Sequence, residues 1–216
     1  MINVVLIILI IALAIFLTNR RGLCFLQFLL VLVLVMVIMT AQKLFDYQIG
    51  ISNNANVFYG AVPVILGLIY LRFGRKGLFE TIWLGLVYEI LWTFALYLSI
   101  HTPSVAGNET VSQAYLTVFS PSFLVAFASF GAFTLSSFVF LALMEQFKKE
   151  WIGTLQGFFV FALFILIFQA VDSFFFFTLV FRQNVIGVWQ IILIGFLSKS
   201  VVGIILEPLV FAKVKT

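Results

Sequence analysis

Seven long apolar runs, separated by short polar or charged segments, occupy most of this chain. Each run stays apolar over more than about 16 residues, whereas the strands of a membrane β-barrel alternate over about 10. A helix that crosses a bilayer needs about 20 mostly apolar residues and satisfies its own backbone N–H and C=O groups. We therefore predict an all-α integral membrane protein with about seven transmembrane helices. The runs cover residues 2–17, 23–41, 57–72, 78–99, 123–144, 152–181 and 188–211.

The composition excludes a soluble domain of this size. Of the 216 residues, 64% are hydrophobic and 9% are charged, whereas soluble proteins carry about 25% charged residues. A soluble fold of this length leaves much of its surface in water and cannot hide so much apolar area. The net charge of +4 could indicate nucleic acid in a soluble protein. Here the basic residues lie in short loops, so we expect the lipid bilayer, and no nucleic acid, as a partner.

The distribution of basic residues predicts the orientation. Lysine and arginine are enriched in the short cytoplasmic loops of membrane proteins. Seven helices with the N-terminus outside place nine basic residues inside and two, Lys43 and Arg182, outside. We therefore predict a multi-pass protein of the cell membrane with a cytoplasmic C-terminus. An N-glycosylation sequon, Asn108-Glu109-Thr110, falls on an outer loop of this topology. The inner basic residues are Arg20, Arg21, Arg72, Arg75, Lys76, Lys148, Lys149, Lys213 and Lys215.

Function is best sought among the few ionisable residues at membrane depth. A charge near the centre of a membrane helix costs about 2.5–3.5 kcal/mol even on the lenient insertion scale, so it needs a partner or a water-filled cavity. Glu89 lies near the middle of the fourth run, Asp172 in the outer half of the sixth, and Lys199 near the middle of the seventh. Glu207 lies near the end of the seventh run, just before Pro208.

The sixth run carries the most informative polar stripe. Gln169, Asp172 and Ser173 are spaced i, i+3 and i+4, which places them on one helical face. They could hydrogen-bond a planar, nitrogen-rich solute, and Lys199 on the following antiparallel helix could neutralise Asp172. The two differ in height by ~5–10 Å at 1.5 Å per residue, which a lysine side chain or a bound solute could bridge. A structural ion pair that fixes helix packing is the alternative interpretation.

Other chemistry is poorly supported by the sequence. Glu89 is interpreted either as a functional group or as a protonated side chain that hydrogen-bonds a neighbouring helix. The single cysteine, Cys24, cannot form an internal disulfide, and we expect it to be a buried apolar residue. No nucleophile elbow, HExxH, P-loop or second histidine is present. We therefore expect no enzyme activity, no metal site and no cofactor.

Several short motifs, in this order and spacing, resemble those of the VUT family, also known as queuosine precursor transporters. The stripe from Gln169 to Ser173 is similar to the family's Q-x-x-D-S/T segment, and Lys199 with Glu207-Pro208 resembles the lysine and proline of its last helix. Three earlier segments also match: Asn56-Val57-Phe58-Tyr59-Gly60, Phe73-Gly74-Arg75-Lys76 and Ile82-Trp83-Leu84-Gly85. The resemblance covers roughly residues 31–211.

The resemblance implies a six-helix transporter core over residues 23–216, preceded by an extra N-terminal helix in residues 1–22. It implies uptake of a 7-deazaguanine such as 7-cyano-7-deazaguanine. The chain departs from the family's T-D-x-x-x-E pattern, because residues 64–72 contain no acid, and the fifth run lacks the family's arginine, glutamine and aspartate. The predicted solute-binding residues are Gln169, Asp172, Ser173, Lys199, Glu89 and Asn56.

Two functions therefore remain open from the sequence. The first is a small-molecule transporter that holds its solute near Gln169, Asp172 and Lys199, between the fourth, sixth and seventh helices. The second is a non-transporting structural or accessory subunit of a larger membrane complex, built on a transporter scaffold with a decayed pocket. The missing acids favour the second function. A membrane-embedded enzyme is a distant third, because no catalytic constellation can be assembled. Partners considered are a small-molecule solute, further membrane-complex subunits and a second copy of the chain.

Overall fold

A computed structural model describes residues 2–18, 21–40, 44–46, 51–102, 113, 122–181 and 188–211. Eight helices account for most of these residues, and a 3₁₀ turn at Lys149–Trp151 precedes the sixth. Strands β1 (Leu44–Asp46) and β2 (Ile51–Asn53) form a short antiparallel hairpin. The helices are α1 (Ile2–Thr18), α2 (Leu23–Thr40), α3 (Asn54–Gly60), α4 (Val62–His101), α5 (Ser122–Glu145), α6 (Leu155–Phe181), α7 (Val188–Leu206) and α8 (Pro208–Phe211).

Within the described ranges, five helical segments are long and apolar enough to cross a membrane. They are Leu23–Thr40, Ala55–Ser99, Leu124–Glu145, Leu155–Val180 and Trp189–Phe211, and a shorter apolar helix spans Val4–Leu17. The prediction of a helical membrane protein is therefore confirmed. The count of seven spans and the orientation stay predictions. Lys43, Arg182 and Asn108 lie outside the described residues. The expectation that Cys24 is buried was wrong, because its side chain is exposed near the start of α2.

Most of the predicted third run and all of the fourth form one bent helix, α4. Its backbone is helical except at Gly74, where φ is +70°. Glycine adopts this left-handed conformation readily because it has no Cβ. Arg75 follows the bend and pairs with Glu145 at the end of α5, with 2.8 Å between Nε and Oε1. The bend is thus held against the end of the neighbouring helix.

Four predicted boundaries were wrong. The polar loop predicted over residues 42–56 contains the β-hairpin and the start of α3. The third run, predicted as one helix over residues 57–72, is divided at Ala61 into α3 and α4. The sixth run begins only at Leu155, because Gly153 has a φ of +77° in the preceding turn. The seventh run is interrupted at Glu207, where Pro208 cannot donate a backbone hydrogen bond.

The packing brings the short helix α3 against the middle of α7. Helix α3 also packs on α2, while α6 packs between α5 and α7, and α4 between α2 and α5. The contact between α3 and α7 is close because it is made at Gly60 and Gly203. A Cβ on Gly60 would lie 2.7 Å from the carbonyl oxygen of Lys199. Glycine here lets α3 place its side chains directly over Lys199.

Candidate functional site

An ion pair between α6 and α7 lies in the interior of the helix bundle. The Lys199 Nζ atom is 2.5 Å from Asp172 Oδ2, and the two side chains are 5% and 4% exposed. The pairing predicted from the sequence is therefore present, and the side chains bridge the difference in height directly. A buried charge is costly unless it is paired, so each of the two groups offsets part of the cost of burying the other.

Three aromatic rings surround the ammonium group of Lys199. Its Nζ lies 4.8 Å from the ring centroid of Tyr59, 5.2 Å from that of Phe177 and 5.8 Å from that of Phe176. Rings within about 6 Å of a cation attract it through their quadrupoles. We call Tyr59, Phe176 and Phe177 the aromatic cage. An aromatic cage next to a carboxylate is a set of groups that also recognises organic amines.

Hydrogen-bonding capacity beside the ion pair is left unused. Gln169 donates from Nε2 to the backbone carbonyl of Tyr59 at 3.4 Å, but its Oε1 accepts no hydrogen bond from the described residues. The hydroxyl groups of Tyr59 and Ser173 are also buried without hydrogen-bond partners there. The Tyr59 hydroxyl faces Asp172 and Ser136 outside hydrogen-bonding geometry. Buried polar groups without partners cost free energy. Binding of a solute that formed hydrogen bonds with these groups would therefore be favoured.

Tyr59 is held in place by aromatic packing. Its ring stacks on Phe168 at a centroid distance of 6.0 Å, and Phe168 meets Phe140 edge to face at 5.6 Å. Phe140 and Phe168 are both fully buried. The Tyr59 ring is thus fixed on one side by packing and faces the Lys199 ammonium group on another.

Glu89 is a further buried carboxyl group, on α4, that does not take part in the ion pair. Its side chain is buried, with the residue 1% exposed. Its Oε1 accepts a hydrogen bond from Ser129 of α5 at 3.4 Å, and its Oε2 has no partner among the described residues. The carboxylates of Glu89 and Asp172 lie close enough to repel each other when both are ionised.

The structure brings together most of the residues predicted from the sequence. Asp172 and Lys199 form the ion pair, and Gln169 donates to the backbone of Tyr59, whose ring lies over Lys199. Ser173 is buried on the same helix as Gln169 and Asp172. Asn56 is buried on α3, one turn before Tyr59. Glu207 is fully buried at the break between α7 and α8, and its two carboxylate oxygens have no partner within the described ranges.

Tyr59 and Ser129 were not among the predicted site residues. Tyrosine and serine are common in membrane helices. Neither carries a charge, so neither has the high cost of burial in the membrane by which the ionisable residues were recognised. The spacing of Asn56 and Tyr59, i and i+3 on one face, was the available signal for Tyr59. Ser129 and Glu89 are 40 residues apart in sequence and lie on different helices. No local sequence pattern therefore indicates their hydrogen bond.

The arrangement suits binding of an organic solute. Among the described residues, no three histidine, cysteine or acidic side chains come together in a way that could hold a metal ion. The groups that do converge are a carboxylate, an ammonium group, an amide, two hydroxyls and aromatic rings. Groups of these types can bind a polar, planar molecule through hydrogen bonds and stacking.

Comparison with known proteins identifies one matching family. The family model described as "putative vitamin uptake transporter" matches residues 53–212, roughly three quarters of the chain. No curated protein and no solved structure matches the chain. The matched segment begins just before α3 and contains Asn56, Tyr59, Glu89, the α6 stripe and Lys199.

Proposed function

We propose that this chain, which belongs to the VUT family of vitamin uptake transporters, takes up a 7-deazaguanine that binds at the Asp172–Lys199 pair. Membership in the family makes the chain a small-molecule transporter rather than an enzyme. Its apolar helices fit a multi-pass protein of the cell membrane. The identity of the solute and its place in the bundle are the proposed parts.

The unused hydrogen-bonding capacity at the ion pair is the observation that carries the proposal. A 7-deazaguanine is flat and carries ring N–H and amino donors beside a carbonyl acceptor. The free oxygen of Gln169 and the carboxylate of Asp172 are acceptors for such donors, and the Tyr59 hydroxyl can donate to the carbonyl. A carboxylate can accept two parallel N–H groups, which is a strong and directional contact.

The carboxylate of Asp172 is paired with Lys199. Binding of the solute to Asp172 would shift the ammonium group of Lys199 within the aromatic cage, where three rings already stabilise it. In this proposal Lys199 neutralises Asp172 until the solute binds to the carboxylate. Ser173, Glu89 and Asn56 are proposed to line the same region, because all three are buried on helices that meet there.

The proposed topology has seven spans, an outer N-terminus and a cytoplasmic C-terminus. In this topology the bend at Gly74 separates two spans: α3 together with the start of α4 forms the first, and the rest of α4 forms the second. Residues 1–22 form an added helix, and residues 23–216 form the transporter core. The family match begins at residue 53, so α1 and α2 both lie before the matched segment.

An accessory subunit without transport is the second candidate function. It is favoured by the region where the family carries two acids, because here the side chains are apolar and fully buried. Val64, Ile65, Leu66, Leu68 and Ile69 are all 0% exposed. This part of α4 packs into the core and offers a solute no polar contact.

Extraction in mild detergent, followed by binding of radiolabelled 7-cyano-7-deazaguanine, tests the proposal. We expect the purified chain to bind the probe, and Asp172→Asn to lose binding at least about tenfold, equivalent to about 1.4 kcal/mol. Glu80→Gln is the control, because Glu80 forms an exposed pair with Lys76. Stable co-purification with a larger complex and no probe binding would support the accessory function instead.

A further inference from the structure

The interior of the bundle holds more negative than positive groups. Around the site, α4 supplies Glu89, α6 supplies Asp172 and α7 supplies the single cation, Lys199. Lys199 is bonded to Asp172, so Glu89 has no counter-ion among the described residues. Its side chain has one hydrogen bond there, the long one from the neutral hydroxyl of Ser129. Glu207 is also buried without a partner in the described part of the chain, but it lies at the break between α7 and α8, so Glu89 is the unpaired carboxyl group near the ion pair.

A proton is the cation that fits the surroundings of Glu89. A hard metal ion requires several oxygen ligands, but only Ser129 offers an oxygen to this carboxylate, and no metal-binding group occurs in the described part of the chain. An ionised carboxylate at membrane depth without a partner is costly. Binding a proton removes that charge and needs no additional ligand, while the carboxyl still accepts the hydrogen bond from Ser129.

The position of Glu89 links its proton to the solute site. The titratable groups that face it are Asp172 from α6 and Tyr59 from α3, with Tyr88 next to it on α4. Lys199 of α7 is paired with Asp172. Any change in the charge of that pair is therefore felt at Glu89. A proton on Glu89 relieves its repulsion with Asp172.

We infer that Glu89 binds an exchangeable proton whose transfer across the membrane drives solute uptake. This inference rests on the proposed transport function. The carboxylate takes a proton from water on one side of the membrane, forming an O–H bond, and that bond breaks when the proton is released on the other side. Solute binding at Asp172 alters the pair and so couples the two events.

Infrared spectroscopy of the full chain in lipid tests the proton site without any solute. We expect a carbonyl band of a protonated, buried carboxyl group that shifts in heavy water and titrates with pH. Glu89→Gln should remove the part of this band that Glu89 contributes, and Glu89→Asp should retain it. Glu207→Gln separately identifies any part that comes from the other buried, unpartnered carboxyl group. If Glu89→Gln leaves the spectrum unchanged, or if the band neither exchanges nor titrates, Glu89 is not an exchangeable proton site and the inference is wrong.

Uptake of radiolabelled 7-cyano-7-deazaguanine into proteoliposomes tests the coupling. A gradient of about one pH unit can drive about tenfold accumulation per coupled proton. We expect Glu89→Gln to lose this accumulation, and Glu89→Asp, which keeps a carboxyl group that can bind a proton, to retain part of it. Glu207→Gln is the matched control, because it removes another buried carboxyl group, and it should accumulate normally. Accumulation by Glu89→Gln equal to that of the wild type would overturn the inference.

The two arms separate failure of the inference from failure of the proposed function. If the wild-type chain neither binds nor moves the probe, the proposed solute is wrong, whereas the infrared result still decides whether Glu89 exchanges a proton. If the wild type moves the probe without responding to a pH gradient, the proposed function stands and the proton coupling is refuted.

Discussion

At the scale of single residues, we expect the Asp172–Lys199 pair to contribute strongly to the free energy of unfolding. Removing one partner leaves the other as an uncompensated buried charge, which costs about 3–5 kcal/mol. We expect Asp172→Asn and Lys199→Met each to lower thermal stability strongly, and the double variant to recover most of the loss. Unfolding in detergent across this double-mutant cycle measures the coupling.

The exposed pair of Lys76 and Glu80 is the control for this cycle. Its atoms are 3.9 Å apart and its side chains are 87% and 50% exposed, so Lys76→Met should change stability by less than about 1 kcal/mol. Equal losses in the buried and exposed pairs would contradict the burial of the Asp172–Lys199 pair.

Tyr59 allows stability and solute recognition to be separated. Its ring faces Lys199, but its hydroxyl has no hydrogen-bond partner among the described residues. Tyr59→Phe should therefore keep thermal stability within about 0.5 kcal/mol while weakening probe binding, because the hydroxyl is proposed to contact the solute. Tyr59→Leu should lose about 1–2 kcal/mol, because it removes the cation–π contact with a buried ammonium group. Unchanged binding by Tyr59→Phe would exclude the hydroxyl from recognition.

At the scale of elements, the close approach of α3 to α7 determines whether the site forms. A Cβ at Gly60 would meet the backbone of Lys199, which cannot move without displacing α7. At Gly131 the first obstacle is the ring of Phe175, a side chain that can turn away. We expect Gly60→Ala to cost about 1–3 kcal/mol, as overpacking commonly does, and Gly131→Ala to cost less. Thermal unfolding of both variants measures the difference, and the reverse order would contradict the close packing of α3 on α7.

The ends of the helices were predictable where the apolar pattern was continuous. They were less predictable where the backbone conformation of a single residue ends or divides a helix. The runs that became α1, α2 and α5 ended within two residues of the helices, because lipid-length apolar segments have few alternatives. The division at Ala61 and the delayed start of α6 depend on tertiary packing and on a positive φ at Gly153. Asp172 and Lys199 were identified from the sequence because a charged residue inside a membrane helix is energetically costly. Tyr59 and Ser129 became visible only when α3 and α5 were placed in the bundle.

The proposed topology can be tested at the scale of the whole molecule. Lys76 follows the bend in α4 and His101 ends that helix, and both side chains are exposed. In a Cys24→Ala background, K76C should react with thiol reagents only from the cytoplasmic side and H101C only from the outside. Labelling of both from the same side would rule out a span between them and the seven-span topology.

Reversal of the buried ion pair is the most direct test of the claim that Asp172 and Lys199 form the solute site. The double variant Asp172→Lys/Lys199→Asp keeps one buried pair between α6 and α7, so we expect it to recover most of the stability lost by Asp172→Lys alone. The acceptor then no longer lies beside Gln169 on α6, so uptake of radiolabelled 7-cyano-7-deazaguanine should remain abolished. Stable protein without uptake is the predicted result. Recovery of both stability and uptake would show that the pair serves only to hold the helices together.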